Sequence, residues 1–127
     1  MLNKIHHAAI ICSDYSKAKD FYCRILGFAV IKETYRQERD SYKLDLQVGN
    51  HAQIELFSFP QPPNRVTQPE ACGLRHLAFE VDDVHLLKSH LEKHAVKCEP
   101  VRVDEITGKE FFFFFDPDGL PLEVYEK

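Results

Sequence analysis

The sequence lacks the features that mark several large classes of protein. It has no run of Lys and Arg, no C-x-x-C pair and no charged-then-apolar signal pattern at its start. No apolar stretch approaches the roughly 20 residues that cross a bilayer. The net charge is −4, and nucleic-acid binding depends on cationic contacts to phosphate. We therefore predict a cytoplasmic protein with neither a membrane nor a nucleic acid as partner.

The cysteines also favour a cytoplasmic protein. Three of the four lie in apolar-patterned segments, and we predict reduced, mostly buried thiols for the set, which is Cys12, Cys23, Cys72 and Cys98.

The chain has 127 residues, of which 44% are hydrophobic. This is enough for one domain with its own core and too little for two large independent domains.

What the sequence does contain is an internal repeat. Residues 5–28 and 74–97 align with a shift of 69, which places His7 on His76 and Asp14 on Asp83. Each stretch reads as a short apolar strand, an acidic break and an amphipathic helix. Asp14 is expected to cap the first helix, which ends at Gly27. The second helix is expected to follow Asp83, to end near residue 94 and to bury Val84, Leu87 and Leu91.

Three further strands are predicted after each helix, at 28–34, 42–48 and 52–59 and again at 97–103, 111–115 and 120–125. The turn-forming residues Asp116–Gly119 should join the last two strands as a hairpin. Residues 60–70 hold four prolines and are predicted to be a linker without regular structure. The predicted fold class is α+β, with the order strand, helix and three strands occurring twice.

The two halves each place one His on the first strand and one Glu on the last. Strand side chains alternate between faces, so His7, Glu55, His76 and Glu123 all point away from the apolar, helix-covered side. Two imidazoles and two carboxylates suit a borderline divalent ion such as Zn, Ni, Co, Mn or Fe(II). A lone strand His or Glu is more often structural or solvated, but two matched pairs on a repeat favour a metal site.

The chain resembles the glyoxalase I branch of the vicinal oxygen chelate superfamily. The resemblance rests on the helix KAKDFYCRILGF and the ending DPDGLPLE, together with IHHAAIICSDY, QIEL and LRHLAFEV. It implies one domain over residues 1–127, with βαβββ modules at about 3–59 and 73–127 forming a half-open, U-shaped barrel. It also implies a homodimer, and it selects His7 rather than the adjacent histidine as the first ligand.

The same resemblance implies an activity. Lactoylglutathione lyases of this branch take the hemithioacetal of glutathione and methylglyoxal, and a metal-bound Glu moves a proton between adjacent carbons. We therefore predict a metal-dependent lyase or isomerase that acts on a small substrate with vicinal oxygens. One Zn, Ni, Co or Mn ion would be held by His7, Glu55, His76 and Glu123, with Glu123 as the catalytic base.

Two positions depart from the glyoxalase I pattern. An arginine and an asparagine of that pattern, which hold glutathione, correspond here to Ile11 and Phe59. Candidate substrate-binding cations remain at Arg36, Arg39 and Lys109, although a solvated charged loop is the favoured explanation of the first two. The metal ligands are therefore expected to be intact and the substrate pocket to be altered.

Other members of the superfamily define the alternatives. Fosfomycin-resistance proteins and extradiol dioxygenases use two His and one Glu, so Glu55 argues against both. Bleomycin-binding relatives lack the ligands. Methylmalonyl-CoA epimerase, which also abstracts a proton beside a carbonyl, is a closer rival, but it usually has Gln at the second ligand. A small-molecule binding protein with a metal that performs no chemistry is the non-enzymatic alternative.

Overall fold

The computed structural model describes residues 1–127 and contains eight strands and two α-helices. They follow the order β1 His7–Cys12, α1 Tyr15–Lys19, β2 Ala29–Arg36, β3 Ser41–Val48, β4 Ala52–Ser58, β5 Leu77–Val81, α2 Val84–Lys93, β6 Arg102–Val103, β7 Glu110–Phe115 and β8 Pro121–Glu126. The strands form two four-stranded mixed sheets of identical topology, β1-β4-β3-β2 and β5-β8-β7-β6. The predicted α+β fold with a repeated strand–helix–three-strand order is confirmed.

The chain separates into two compact units, unit one at Met1–Asn64 and unit two at Arg65–Lys127. In unit one, β1 runs parallel to β4, and Ala9 lies opposite Glu55. The carboxylate of Asp14 caps α1 by accepting the Lys17 N–H at 3.1 Å, as predicted. The helix and the apolar side of the sheet enclose a core of Ile10, Cys12, Ala18, Phe21, Tyr22, Leu44, Leu46, Ile54 and Leu56.

Unit two repeats this plan. Strand β5 runs parallel to β8, and Ala78 lies opposite Glu123, in the same register as Ala9 and Glu55. Asp83 caps α2 by accepting the Leu86 N–H at 2.9 Å. The core consists of Val84, Leu91, Phe112, Phe114, Leu120, Leu122 and Val124. The predicted turn joins β7 to β8, and the Asp116 carbonyl accepts the Gly119 N–H at 3.0 Å.

Three local predictions need correction. The first helix is α-helical only to Lys19 and continues as a π-helix over Asp20–Ile25, where the Leu26 N–H reaches back five residues. The predicted strand at 97–103 is reduced to Arg102–Val103 and one bridge at Cys98, because Pro100 has no N–H to donate to the ladder. Leu87 is only half-buried, whereas Val84 and Leu91 are buried.

The linker, the cysteines and the helix lengths complete the description of the fold. Residues 59–76 contain neither helix nor strand. All four cysteines are free, and Cys12 is buried, whereas Cys72 is exposed. Burial raises the pKa of the half-buried Cys23 and Cys98 thiols. No helix has the length and apolar character required to cross a membrane.

Candidate metal-binding pairs

Each unit brings one predicted His and one predicted Glu into contact. His7 Nε2 lies 3.1 Å from a Glu55 carboxylate oxygen, and His76 Nε2 lies 3.1 Å from a Glu123 carboxylate oxygen. The equal distances follow from equal registers, since each Glu lies opposite the residue two positions after its His. The repeat in the sequence therefore corresponds to a repeat in side-chain geometry.

Strand alternation explains why these four side chains are available. On β4, Ile54 and Leu56 are buried in the core, which turns Glu55 to the opposite face. On β8, Leu122 and Val124 are buried on either side of Glu123 in the same way. Both carboxylates remain accessible on the face that no helix of their own unit covers, with 14% of each side chain exposed.

The separation of each pair fits a shared metal ion. Imidazole nitrogen and carboxylate oxygen bind zinc-like ions at about 2.0–2.2 Å, so two adjacent octahedral ligands lie about 3.0 Å apart. The observed 3.1 Å is close to that spacing and is also an ordinary hydrogen-bond length. No group of three or more His, Cys, Asp or Glu side chains gathers anywhere in the chain. Each unit therefore brings together two of the four candidate ligands.

Charged side chains surround the pair in unit one. The Lys43 ammonium lies 3.7 Å from the Glu55 carboxylate and 3.5 Å from that of Asp45. Asp45 is the cross-strand neighbour of Glu55 in the β3–β4 ladder. Glu55 is thus held between an imidazole on one side and an ammonium on the other.

Aromatic side chains surround the pair in unit two. Phe113 is the cross-strand neighbour of Glu123, and its ring meets that of His76 edge-on with the centroids 5.1 Å apart. Tyr125, two residues after Glu123, stacks on Phe111 and donates its hydroxyl to Asp104 at 2.9 Å. No Lys or Arg nitrogen lies within 4.0 Å of Glu123, in contrast to Glu55.

The Nδ1 atoms of His7 and His76, which point away from the glutamates and are called here the outer nitrogens, have different neighbours. His7 Nδ1 lies 2.9 Å from His6 Nδ1, and an imidazole can donate or accept at that position. His76 Nδ1 lies 3.2 Å from the Arg75 guanidinium, which can only donate. The Arg75 contact therefore places the proton of a neutral His76 on Nε2, where it is donated to Glu123.

The predicted substrate-binding cations lie in both units. Arg36 ends β2, and Arg39 lies in the 3₁₀ turn Gln37–Arg39 that leads into β3. Lys109 in unit two donates its ammonium to the main-chain carbonyl of Lys127 at 2.5 Å. Arg36 and Arg39 lie together, whereas Lys109 is engaged with the end of the chain.

Sequence reasoning missed the immediate neighbours of the ligands. Lys43 and Asp45 could have been found, because the alternation of β3 places both on the face that carries Glu55. Phe113 could have been found by the same argument on β7. The contacts of His6 and Arg75 depend on side-chain rotamers, which no sequence pattern records.

Comparisons with known proteins agree with this architecture. Residues 4–124 match the model of the Glyoxalase/Bleomycin resistance protein/Dioxygenase superfamily. The protein YaeR of Escherichia coli is 60% identical over 99% of this chain and 98% of its own. The crystal structure of SMU.1112c has a TM-score of 0.95 at 48% identity and covers 99% of this chain and 100% of that chain. A glyoxalase family protein from Enterococcus faecalis has a TM-score of 0.90 at 48% identity, with 97% of both chains covered.

More distant relatives are enzymes of three kinds. Glyoxylase I 4 of Arabidopsis thaliana is 24% identical over 97% of this chain and 70% of its own. Human methylmalonyl-CoA epimerase is 27% identical over 97% of this chain and 73% of its own. Catechol-2,3-dioxygenase of Bacillus subtilis is 25% identical over 95% of this chain and 40% of its own.

Proposed function

The chain belongs to the glyoxalase/bleomycin resistance protein/dioxygenase superfamily, and from this premise we propose that it is a metal-dependent lyase or isomerase. Its reaction is the transfer of a proton on a small substrate that carries vicinal oxygens. One observation carries the proposal, namely the two His–Glu pairs with the same 3.1 Å separation at equivalent positions of the two units. A structural role for a His–Glu contact does not require this duplication.

The proposed metal ligands are His7, Glu55, His76 and Glu123, and the proposed ion is Zn, Ni, Co or Mn. The full set needs one pair from each unit, taken either from one chain or from two chains of a homodimer. When bound, the ion would act as a Lewis acid on the substrate oxygens. With four protein ligands, such an ion would still have room to bind those oxygens, which would suit a substrate with vicinal oxygens.

Glu123 is the proposed carrier of the proton. The Lys43 ammonium lies 3.7 Å from the Glu55 carboxylate, whereas no Lys or Arg nitrogen lies within 4.0 Å of the Glu123 carboxylate. The cross-strand neighbour of Glu123 is the apolar Phe113, whereas that of Glu55 is the charged Asp45. Glu55 then acts as a ligand, and Glu123 acts as both ligand and base.

The first substrate to test is the hemithioacetal of glutathione and methylglyoxal. Ile11 and Phe59 occupy the two positions where the glyoxalase I pattern has glutathione contacts, so the substrate-recognition surface differs from that pattern. Other α-hydroxycarbonyl compounds and thiol adducts are therefore included in the same assay. A related epimerase substrate would undergo the same proton abstraction beside a carbonyl.

The test compares metal-free protein with protein reloaded separately with Ni, Zn, Co and Mn. Turnover should require metal and should fall by about 10²- to 10⁴-fold in Glu123→Gln, while the variant still binds an ion. Glu92→Gln, which removes an exposed helix carboxylate that pairs with Lys88, is the matched control and should retain full activity. Failure to bind any of the four ions would contradict the proposal. Binding without turnover on any substrate would favour the non-enzymatic binding protein.

A further inference from the structure

A second group of side chains, two arginines and two phenylalanines, lies on the open face of unit one. It consists of Arg36, Arg39, Phe57 and Phe59 and is called here the arginine–phenylalanine cluster. The Arg36 guanidinium carbon lies 4.9 Å from the centre of the Phe57 ring and 5.7 Å from that of Phe59. The Arg39 guanidinium carbon lies 5.2 Å from the Phe59 ring. Phe59 therefore supports both cations.

The cluster shares its sheet face with the metal-binding pair. Phe57 follows Glu55 by two residues on β4, and the two side chains therefore point to the same side. At about 3.3 Å per residue, Phe57 lies about 7 Å from Glu55 and Phe59 about 13 Å from it. Ile11 is the cross-strand neighbour of Phe57 on β1. The two departures from the glyoxalase I pattern, Ile11 and Phe59, thus both lie at this cluster.

The charges of the cluster have no counter-ion within the protein. Arg24 and Arg75 each contact a carboxylate, at 2.6 and 3.0 Å. Arg36 instead donates one Nη2 hydrogen bond to the buried Ser41 hydroxyl at 2.9 Å, and its buried Nε has no partner. Asp40, which follows Arg39, accepts the Tyr35 hydroxyl at 2.6 Å and pairs with neither arginine.

The buried Nε of Arg36 is costly to leave without an acceptor, although acceptors are abundant in a chain with a net charge of −4. A guanidinium held against an aromatic ring has a restricted orientation. Because the Nε of Arg36 is buried and its Nη2 donates to Ser41, the exposed Arg39 presents most of the N–H groups that a ligand could reach. That arrangement matches the two oxygens of a carboxylate or phosphate, which accept bidentate hydrogen bonds. The position of the cluster beside the metal-binding pair makes a substrate the natural counter-ion.

We propose that Arg36 and Arg39, held on Phe57 and Phe59, form an oxyanion-binding subsite that recognises a terminal carboxylate or phosphate of the substrate. This inference rests on the proposed function, which assigns vicinal oxygens to the other end of the substrate. The substrate class is then a small acid whose anionic group lies about 7–13 Å from the oxygens that approach the metal-binding pair. The glyoxalase I pattern has an asparagine at the position of Phe59. Here the Phe59 ring instead contacts the guanidinium groups of Arg36 and Arg39.

The experiment measures binding to the full chain without metal, so that it does not depend on catalysis. The ¹⁵N-labelled protein is titrated with benzoate, phenyl phosphate and the uncharged benzyl alcohol. Saturable amide shifts should appear at residues 36–41 and 57–59 with both anions and be absent with benzyl alcohol. Tighter binding of phenyl phosphate would identify a phosphate as the group recognised, and tighter binding of benzoate a carboxylate.

The variants are Arg36→Gln and Arg39→Gln, with Arg24→Gln as the control. Each cluster variant should weaken anion binding by about tenfold or more, because it removes charge-assisted hydrogen bonds. Arg39 is exposed, so Arg39→Gln tests the proposal even if the half-buried Arg36 proves necessary for folding. Equal shifts with benzyl alcohol, or unchanged anion affinity in Arg39→Gln, would overturn the proposal.

The two proposals fail separately in this design. Anion binding at the cluster without metal-dependent turnover would leave the subsite standing and remove the proposed reaction. Metal-dependent turnover without anion binding would remove the subsite and leave the reaction. In the active protein, Arg39→Gln should raise KM for anionic substrates and leave kcat nearly unchanged, since the group holds the remote end of the substrate.

Discussion

Unit one and unit two place the same His–Glu pair, the proposed metal ligands, in different environments. In unit one the cross-strand neighbour of the Glu is Asp45, and Lys43 lies 3.7 Å from its carboxylate. In unit two the cross-strand neighbour is Phe113, whose ring also contacts the His. The registers are identical, so the backbone does not cause this difference. The residues on β3 and β7 make the difference, since β3 gives the Glu of unit one two charged neighbours and β7 gives the Glu of unit two an aromatic neighbour.

The outer nitrogens extend this comparison. A metal on Nε2 requires the proton of a neutral histidine to be on Nδ1, where it needs an acceptor. His6 can turn from donor to acceptor and so suits metal binding by His7. Arg75 only donates and opposes the corresponding change at His76 until it moves away. The two proposed histidine ligands thus differ in the hydrogen-bond partner that each Nδ1 would have when a metal ion binds Nε2.

The largest expected effects test whether the two units are equally stable. Leu56 and Leu122 are both fully buried beside the ligand carboxylates of their units. Leu56→Ala and Leu122→Ala should each cost about 2–5 kcal/mol, from lost apolar burial and the cavity left behind. Urea unfolding followed by circular dichroism measures the change. If each variant shifts only part of a biphasic transition, the units unfold independently, and a single shared transition shows that they are coupled.

The second-largest expected effect is the difference in activity between variants of Glu123 and Glu55. Glu123→Gln should lower kcat by about 10²- to 10⁴-fold, whereas Glu55→Gln should mainly weaken metal affinity. The reason is the assignment of the mobile proton to Glu123 and the contact of Glu55 with Lys43. Steady-state kinetics at saturating metal separates the two effects. Equal losses of kcat in both variants would show that the environments do not decide which carboxylate is the base.

Much of the fold was predictable because its signals are local and occur twice. The caps Asp14 and Asp83 and the turn at Asp116 act through hydrogen bonds to residues within four positions, so the sequence alone reveals them. The alternation of buried and open residues on β4 and β8 placed each Glu correctly for the same reason. Pro100 also carried a local signal, the missing N–H, which the prediction of a strand at 97–103 overlooked.

The details that the sequence did not reveal depend on rotamers and on competing hydrogen bonds. The π-helix at Asp20–Ile25 differs from an α-helix by one residue in its bonding, and an apolar pattern is compatible with both. The stacking of Arg36 on Phe57 joins residues far apart in the chain through side-chain conformations alone. Periodicity therefore predicts which face a side chain occupies, and contacts across that face require the structure.

A smaller effect should follow from changing the neighbours of the outer nitrogens. His6→Phe removes an acceptor for His7 and should weaken metal binding by about 10- to 100-fold, as is typical for an outer-shell partner. Arg75→Gln supplies a carbonyl that accepts from His76 Nδ1 and should strengthen binding, by at most about tenfold. Competition with a metal-binding dye measures both, with Arg24→Gln as the control for loss of an exposed cation. A weakening in both variants would contradict the difference between the units.

The smallest expected effect concerns one hydrogen-bonded carboxylate in each unit, Glu33 in unit one and Asp104 in unit two. Hydrogen bonds from Lys19 and Tyr15 hold the pKa of Glu33 below its ordinary value of 4.5. Hydrogen bonds from the Ile106 N–H and the Tyr125 hydroxyl hold the pKa of Asp104 below 3.8. A depressed folded-state pKa gives stability that is present above the unfolded value and is lost as pH falls through the folded value.

Wild-type protein should therefore lose the Glu33 contribution as pH falls below 4.5 and the Asp104 contribution as it falls below 3.8. In Glu33→Gln and Asp104→Asn, the thermal midpoint should decline less steeply over the corresponding range, because the variant has no proton to take up there. Glu92→Gln controls for the loss of one exposed carboxylate. Both groups are solvent-accessible, so screening keeps each effect small, and added salt should reduce the Glu33 difference because an ammonium is its first contact. The Asp104 difference should change less with salt, since its strongest contact is a neutral main-chain donor, and equal salt responses would contradict this contrast between the units.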